Sequence, residues 1–290
     1  MGLHAASGFK DGFTAHHCCR FCTAHFQKYQ EIFREIPSLL RDKQTHDQQC
    51  SEVQTSRGKN AELSKKYGVN SASALNELMF FHVVDGTPPD ACHDILEGCL
   101  VLTIKRLLRH FLYEVPEKEI KFTLDWLNKA IRDYDFDYIE KADRPSALKK
   151  EYIMSDDTTL HQSACQTWLV ATLPPLIVGP HMDLNDDYYN NFLECLELCR
   201  IVFSFKVTEH MVFYLQDLIE TYPRDVKALY GQIIPKQHHL IHYPYCILQI
   251  GSFINYQCLR CEAKHRVFKK LVNYIGCYVN VPCLSLFDTN

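Results

Sequence analysis

Two short stretches near opposite ends of the chain determine how the fold can be cross-linked: His238-His239-Leu240-Ile241-His242 and Cys19-Arg20-Phe21-Cys22. His238 and His242 are four residues apart, so on a helix they share one face and can bind one metal ion. His239 points elsewhere. Two cysteine thiolates separated by two residues can bind one zinc ion when the backbone between them forms a tight turn.

Cys19, Cys22, His238 and His242 together predict a closed Cys₂His₂ set, the coordination typical of structural zinc. Such a site would tie the first turn of the chain to a helix more than 200 residues later. Because the site would form only in the folded chain, the free energy of metal binding would contribute directly to the free energy of folding. The alternative interpretation is that the cysteines are buried or incidental and that the histidines lie on a helix surface.

The same histidines also suggest a zinc hydrolase, because zinc peptidases carry His-Glu-x-x-His and a third ligand further along, where Glu262 stands. However, His239 occupies the position of the glutamate. Without that general base the hydrolytic mechanism lacks its proton acceptor. The hydrolase is therefore the weaker hypothesis.

Composition predicts a folded globular chain of one large domain or two ordinary ones. Of 290 residues, 47% are hydrophobic and 23% are charged, and the net charge is −4. Proteins that bind nucleic acid through phosphate contacts are usually basic, so bulk charge does not indicate DNA binding. The composition still allows a local basic patch that could bind DNA.

The N-terminal residues 1–13 lack a basic region followed by an apolar one, and no apolar run is long enough to span a bilayer. We expect a nuclear or cytoplasmic protein that is neither secreted nor a membrane protein. Fourteen cysteines without a signal peptide favour a reducing compartment. Most of them, including Cys99, Cys195 and Cys199, lie on apolar helical faces and are predicted to be core residues.

Apolar periodicity predicts a mainly α fold with a few short strands. A strand is expected within residues 80–90, followed by a turn at Pro88-Pro89. Helices are expected from Asp94 onward and over residues 160–173, 186–203, 209–222, 236–248 and 256–275. Thr208 is the expected N-cap of the 209–222 helix, and Pro223 its expected end. The sequence contains no glycine-rich nucleotide-binding motif.

The string Asp90-Ala-Cys-His93-Asp94-Ile-Leu-Glu97 follows two prolines and precedes a helix. Asp90 or Asp94 is predicted to cap that helix, and Glu97 to favour its N-terminal dipole.

Three strings, in this order, resemble the transposase-derived proteins of the CACTA (En/Spm-like) group of cut-and-paste DNA transposons. The resemblance runs essentially from end to end, and the strings around Asp90–Gly98 and Arg260–His265 are its most specific parts. The strings are GFKDGFTAHHCCRFC (8–22), LNELMFFHVVDGTPPDACHDILEG (75–98) and PKQHHLIHYPYCILQIGSFINYQCLRCEAKHRVFKK (235–270).

The resemblance implies an RNase H-like catalytic fold, in which two Asp and one Glu bind two Mg²⁺ or Mn²⁺ ions and a helical insertion precedes the Glu. Glu262 matches that last catalytic position. In related recombinases a Cys-x-x-Cys and a His pair bind zinc, and Cys19, Cys22, His238 and His242 stand in the matching places. Asp90 and His93 match a family Asp-x-x-His signature, to which no role is assigned.

The resemblance also implies a division into residues 1–90 (the Cys-x-x-Cys segment and a connection), 91–232 (the helical insertion) and 233–290 (the His pair and the final catalytic helix). In the family the second Asp lies just before the position that matches Gly2, and the first lies further upstream. We therefore expect a truncated or domesticated transposase fragment without catalysis of its own. Mg²⁺ or Mn²⁺ would serve only an intact full-length enzyme.

The expected partners are transposon-end DNA or a second copy of the chain, with no membrane and no small-molecule substrate. The alternative is a non-catalytic host protein-interaction module without a DNA role.

Overall fold

The computed structural model describes residues 7–10, 12–116, 122–137, 140–179, 182–183 and 185–256. The predicted mainly α class is confirmed in these residues. The predicted short strands are not found there: the described residues contain only two isolated β-bridges, between Phe9 and Val69 and between Cys22 and Leu40. Glu262 and nearly all of the helix predicted over 256–275 lie outside the described residues.

A helical hairpin follows the Cys-x-x-Cys loop. Helix α1 (Lys43–Thr55) begins at Asp42, whose carboxylate accepts a hydrogen bond from the backbone N–H of Thr45. Helix α2 (Asn60–Tyr67) ends at Gly68, which has a φ of +75°. A Cβ atom on Gly68 would lie 2.1 Å from the carbonyl oxygen of His17, so only glycine lets the loop approach the hairpin this closely.

The strand predicted over residues 80–90 is wrong: Val83–Gly86 forms a single helical turn, α3. The His82 ring accepts a hydrogen bond from the N–H of Val84, and the Asn76 side chain accepts one from the N–H of Val83. These local acceptors satisfy the backbone without a partner strand. Val83 packs in a small satellite core under the hairpin, with Phe9, Cys50, Val53 and Val69.

A long helix runs through the centre of the fold in three consecutive segments. Cys92–Cys99 and His110–Glu114 have π-type hydrogen bonding, and α4 (Leu100–Arg109) joins them. The remaining described helices are α5 (Leu124–Asp133), α6 (Lys150–Met154), α7 (Ala164–Ile177), α8 (Asp187–Val202), α9 (Glu209–Tyr230), α10 (Pro235–His239) and α11 (Tyr243–Ile250). Of these, α8 packs against both α4 and α9.

Thr208 caps α9 as predicted, because its hydroxyl accepts a hydrogen bond from the N–H of Met211. The predicted end at Pro223 is wrong, since α9 continues to Tyr230. Proline removes one helical hydrogen bond. Burial of Tyr222, Pro223 and Val226 against the core outweighs that local cost.

The main apolar cluster draws on the Cys-x-x-Cys segment and on the chain from Ala91 onward, and it includes Phe21, Ile104 and Tyr243. The three cysteines predicted as core residues, Cys99, Cys195 and Cys199, are fully buried in it. None of the described helices combines the length and apolar character needed to cross a bilayer.

Glu194 on α8 is a half-buried carboxyl group beside Asp225 on α9. Burial, reinforced by the charge of Asp225, raises the pKa of Glu194 to about 7. The folded state then binds this proton more tightly than the unfolded state, so stability is lost as the pH rises from about 4.5 to about 7. We expect Glu194→Gln to be more stable than the parent at pH 8, by about 1 kcal/mol after allowance for solvent screening.

Urea denaturation at pH 5 and pH 8 measures this effect. Glu197→Gln on the same helix is the control, because Glu197 contacts Arg200 rather than a carboxylate. A Glu194→Gln protein whose denaturation midpoint keeps the parent's pH dependence would contradict the prediction.

Candidate metal centre

A buried arginine, Arg41, fixes the Cys-x-x-Cys loop by hydrogen bonds to its backbone carbonyls. The Nε of Arg41 donates to the carbonyl of Cys19 over 3.0 Å, and its Nη2 donates to the carbonyls of His17 and Tyr67 over 2.8 and 2.9 Å. The backbone N–H of Arg41 also donates to the carbonyl of Phe21. The loop is therefore fixed to the end of the helical hairpin, with both thiols turned inward.

The histidines lie on an uninterrupted helical run from Pro235 to Ile250. The backbone tightens to a 3₁₀ turn over Leu240–His242 between α10 and α11. The rings of His238 and His242 are 5.8 Å apart between centroids, on one face of the run. The predicted i, i+4 arrangement is confirmed.

The two halves of the predicted set meet in the core. The ligand atoms of Cys19, Cys22, His238 and His242 all lie within 4.8 Å of one another. Cys19 Sγ is 3.6 Å from His242 Nε2, and Cys22 Sγ is 3.3 Å from His238 Nε2. Tetrahedral zinc with ordinary Zn–S and Zn–N bonds places sulfur and nitrogen ligands about 3.5 Å apart. The cluster fits a metal ion such as zinc.

Charge within the cluster suits metal binding as well. Burial alone would raise the pKa of the Cys19 thiol, but hydrogen bonding from Cys22 and the charge of His242 bring it well below the ordinary value. Burial lowers the pKa of His242, yet the charges of Cys19 and Glu35 outweigh it and raise that pKa to about 9. The lowered pKa favours the thiolate of Cys19, which is the form of cysteine that binds zinc, and His242 would have to release its extra proton on binding the metal.

Glu35 completes the surroundings of the site and was not predicted from the sequence. Its Oε2 atom lies 2.6 Å from Nδ1 of His242, opposite the nitrogen that faces Cys19. A carboxylate in this position fixes the tautomer and orientation of a metal-binding imidazole. Its segment, EIFREI (31–36), carries no motif that points to this role.

We expect Glu35→Gln to weaken zinc binding about 10- to 100-fold while leaving all four ligands in place. Competition against a chromophoric chelator measures the affinity. Glu31→Gln is the matched control, since Glu31 is exposed and its carboxylate pairs with Lys227 rather than with a histidine. Equal affinities for the two variants would show that Glu35 does not support His242.

A buried polar cluster adjoins the metal site. His239, which turns away from the four ligands as predicted, directs Nδ1 at the Asp94 carboxylate over 3.2 Å. The Tyr243 hydroxyl donates to the same carboxylate over 3.2 Å. The charge of Asp94 also acts on the buried guanidinium of Arg20, whose Nη2 donates to the Pro88 carbonyl. Asp94 is therefore a buried acceptor.

The helix cap predicted at Asp90 or Asp94 is made by Asp90. Its Oδ1 accepts hydrogen bonds from the N–H groups of Cys92 and His93, and its Oδ2 lies 2.8 Å from His93 Nδ1. His93 Nε2 is 3.6 Å from Glu97, which follows one turn later. Asp90 and His93 thus form a surface pair outside the four-ligand cluster.

The chain was compared with protein-family models, with curated proteins and with solved structures, and none of them matches it. Glu262, the residue that the resemblance places at the last catalytic position, lies outside the described residues.

Proposed function

We propose that this chain is a transposase-derived protein of the CACTA group, in which a structural zinc ion clamps a helical scaffold that acts by binding rather than by catalysis. The observation that carries the proposal is the meeting of Cys19, Cys22, His238 and His242 in one buried cluster. The same four residues match the zinc ligands that the family resemblance implies. The proposal includes an RNase H-like remnant around the His pair.

The donor set supports a structural role for the metal. Four protein ligands close a tetrahedral site, whereas catalytic zinc sites keep one position for water or substrate. Each of the four side chains is almost fully buried. In the hydrolase alternative His239 would stand in place of the general base, but its ring is engaged with Asp94. The cluster therefore favours a clamp over a hydrolase.

DNA is the proposed partner, and the salt dependence of binding tests it. A labelled duplex of mixed sequence is titrated with the 290-residue chain at about 50 mM and about 200 mM salt, with fluorescence anisotropy as the readout. We expect an affinity loss of at least about tenfold, because each neutralised phosphate releases counterions. Absence of binding at the lower salt concentration would contradict a DNA role.

A protein-interaction module without a DNA role is the second candidate, and an exposed apolar segment favours it. Leu78, Met79 and Phe80 are 55%, 85% and 95% exposed, which is unusual for consecutive large apolar residues. The net charge of −4 also favours a protein partner over a polyanion. In this case the duplex stays unbound even at the lower salt concentration.

A further inference from the structure

A cleft away from the metal centre has two aromatic walls. Trp168 on α7 and Phe203 at the end of α8 meet edge to face, with ring centroids 6.4 Å apart and planes at 71°. The buried side chains of Leu96 and Leu169 line the same cleft, which has a volume of about 270 Å³. We call it the Trp168 cleft. Its size is close to the lower end of small-ligand pockets.

Two carboxylates complete the lining of the Trp168 cleft. Glu140 and Asp143 lie on the 3₁₀ turn Glu140–Asp143, and Cys165 on α7 also lines the cleft. Burial, together with the charge of Asp143, raises the pKa of Cys165. Among the described residues, neither Glu140 nor Asp143 forms an ion pair with a basic side chain.

The aromatic walls also lack an internal cation. Elsewhere in the fold, basic side chains cover aromatic faces: Arg106 lies 4.2 Å from the ring centre of Tyr230, and Arg144 lies 5.3 Å from that of Phe136. Within the described part of the chain no such basic group covers Trp168 or Phe203. The cleft therefore combines two aromatic side chains with two carboxylates, and none of the ion pairs or cation–π contacts of the described residues involves these four side chains.

We propose that the Trp168 cleft binds an alkylated ammonium group, carried either by a small organic cation or by a methylated lysine side chain. Methyl groups on the nitrogen match the apolar floor, and the spread positive charge is attracted to the aromatic faces and to Glu140 and Asp143. A bare ammonium ion holds its hydration shell more strongly, and an anion is repelled. This inference goes beyond the proposed function and does not depend on the zinc site.

Choline is the probe that tests the proposal. The chain has two tryptophans, so in a Trp126→Phe background the fluorescence reports Trp168 alone. We expect choline to change this fluorescence saturably, with an affinity at least about tenfold above that of 3,3-dimethylbutanol, its uncharged isostere. Choline should also slow alkylation of Cys165 by iodoacetamide, followed by mass spectrometry. No saturation, or equal effects of the two compounds, would overturn the proposal.

A charge-matched pair of variants locates the site. Glu140→Gln/Asp143→Asn should weaken choline binding about tenfold without changing the zinc content. Asp135→Asn/Asp137→Asn removes the same charge from the preceding exposed loop and should leave choline binding within about twofold of the parent. Equal weakening by both pairs would mean that choline responds only to the overall negative charge of the protein. The proposal that choline binds in the Trp168 cleft would then be wrong.

A third experiment distinguishes a small organic cation from a methylated lysine side chain as the source of the ammonium group. A peptide that contains trimethyllysine is compared with the same peptide carrying unmodified lysine and with free choline. Binding of the methylated peptide at least about tenfold more tightly than choline identifies a side-chain ligand, and equal binding identifies a small cation. Preference for the unmodified peptide over the methylated one would overturn the proposal.

Discussion

Cys19→Ser is expected to release the metal and to unfold the described helical scaffold at 25 °C. Zinc binding to small structural sites contributes about 10–16 kcal/mol, whereas whole domains are stable by only about 5–15 kcal/mol. Removing one thiolate leaves an open three-ligand site with much weaker affinity. His242→Ala should behave in the same way, because it removes a ligand from the other end of the chain.

Elemental analysis of the purified chain should give about one zinc per molecule, and the Cys19→Ser protein should carry none. Circular dichroism during heating then reports the loss of cooperative unfolding. Cys18→Ser is the control: Cys18 is the neighbouring cysteine but lies outside the four-ligand cluster. A parent protein that is well folded and free of zinc would contradict both the prediction and the proposed clamp.

The clamp has a large effect because of where its ligands stand in the chain. Cys22 and His238 are 216 residues apart in sequence, and Cys19 and His242 are 223 residues apart. A metal cross-link at these positions closes a loop around most of the described chain, and this restricts the unfolded state. A chelator added to the parent protein should therefore reproduce the Cys19→Ser result, with unfolding that follows metal loss.

The four ligands could be predicted because their spacing expresses local geometry. Two cysteines separated by two residues and two histidines four residues apart each define half a site within one turn of backbone. Donor chemistry suggested how the halves pair, and the family resemblance supported that pairing with long-range information that no local pattern contains. The same limit explains Glu35, whose contact with His242 spans 207 residues and has no periodicity in the sequence.

Two elements differ from their predicted form for physical reasons that lie at particular residues. FFHVVDG (80–86) has the β-branched and aromatic composition of a strand. The His82 and Asn76 side chains nevertheless supply acceptors that complete a single helical turn. Pro223 is an ordinary helix-ending signal, but burial of its neighbours carries α9 through it. Local side-chain acceptors at the first place, and burial in the core at the second, outweigh the propensity that the sequence reveals.

Asp94→Ala is expected to have the second largest effect on stability, because this carboxylate acts on two buried basic groups, His239 and Arg20. Burial would lower the pKa of His239, and Asp94 raises it above the ordinary value through charge and a hydrogen bond. Burial also lowers the pKa of Arg20, which Asp94 partly offsets. Because Nη1 of Arg20 has no hydrogen-bond partner among the described residues, its guanidinium depends on this nearby charge.

Removing one member of a buried charge cluster costs about 3–5 kcal/mol, since the remaining charges stay desolvated without compensation. We expect that loss for Asp94→Ala and a smaller one for Asp94→Asn, which keeps an acceptor oxygen near the Tyr243 hydroxyl. Urea denaturation of the zinc-loaded proteins measures it. Glu97→Ala, one turn away on the helix surface, should change stability by less than about 1 kcal/mol.

The zinc content of the Asp94→Ala protein separates two roles for this cluster. The four ligands stay intact, so folded protein should still carry one zinc per molecule if Asp94 acts on stability alone. Loss of zinc from folded protein would instead mean that Asp94 sets the angle of the helix between His238 and His242, through its bond to His239. A denaturation midpoint unchanged from the parent would show that Arg20 and His239 do not need this charge.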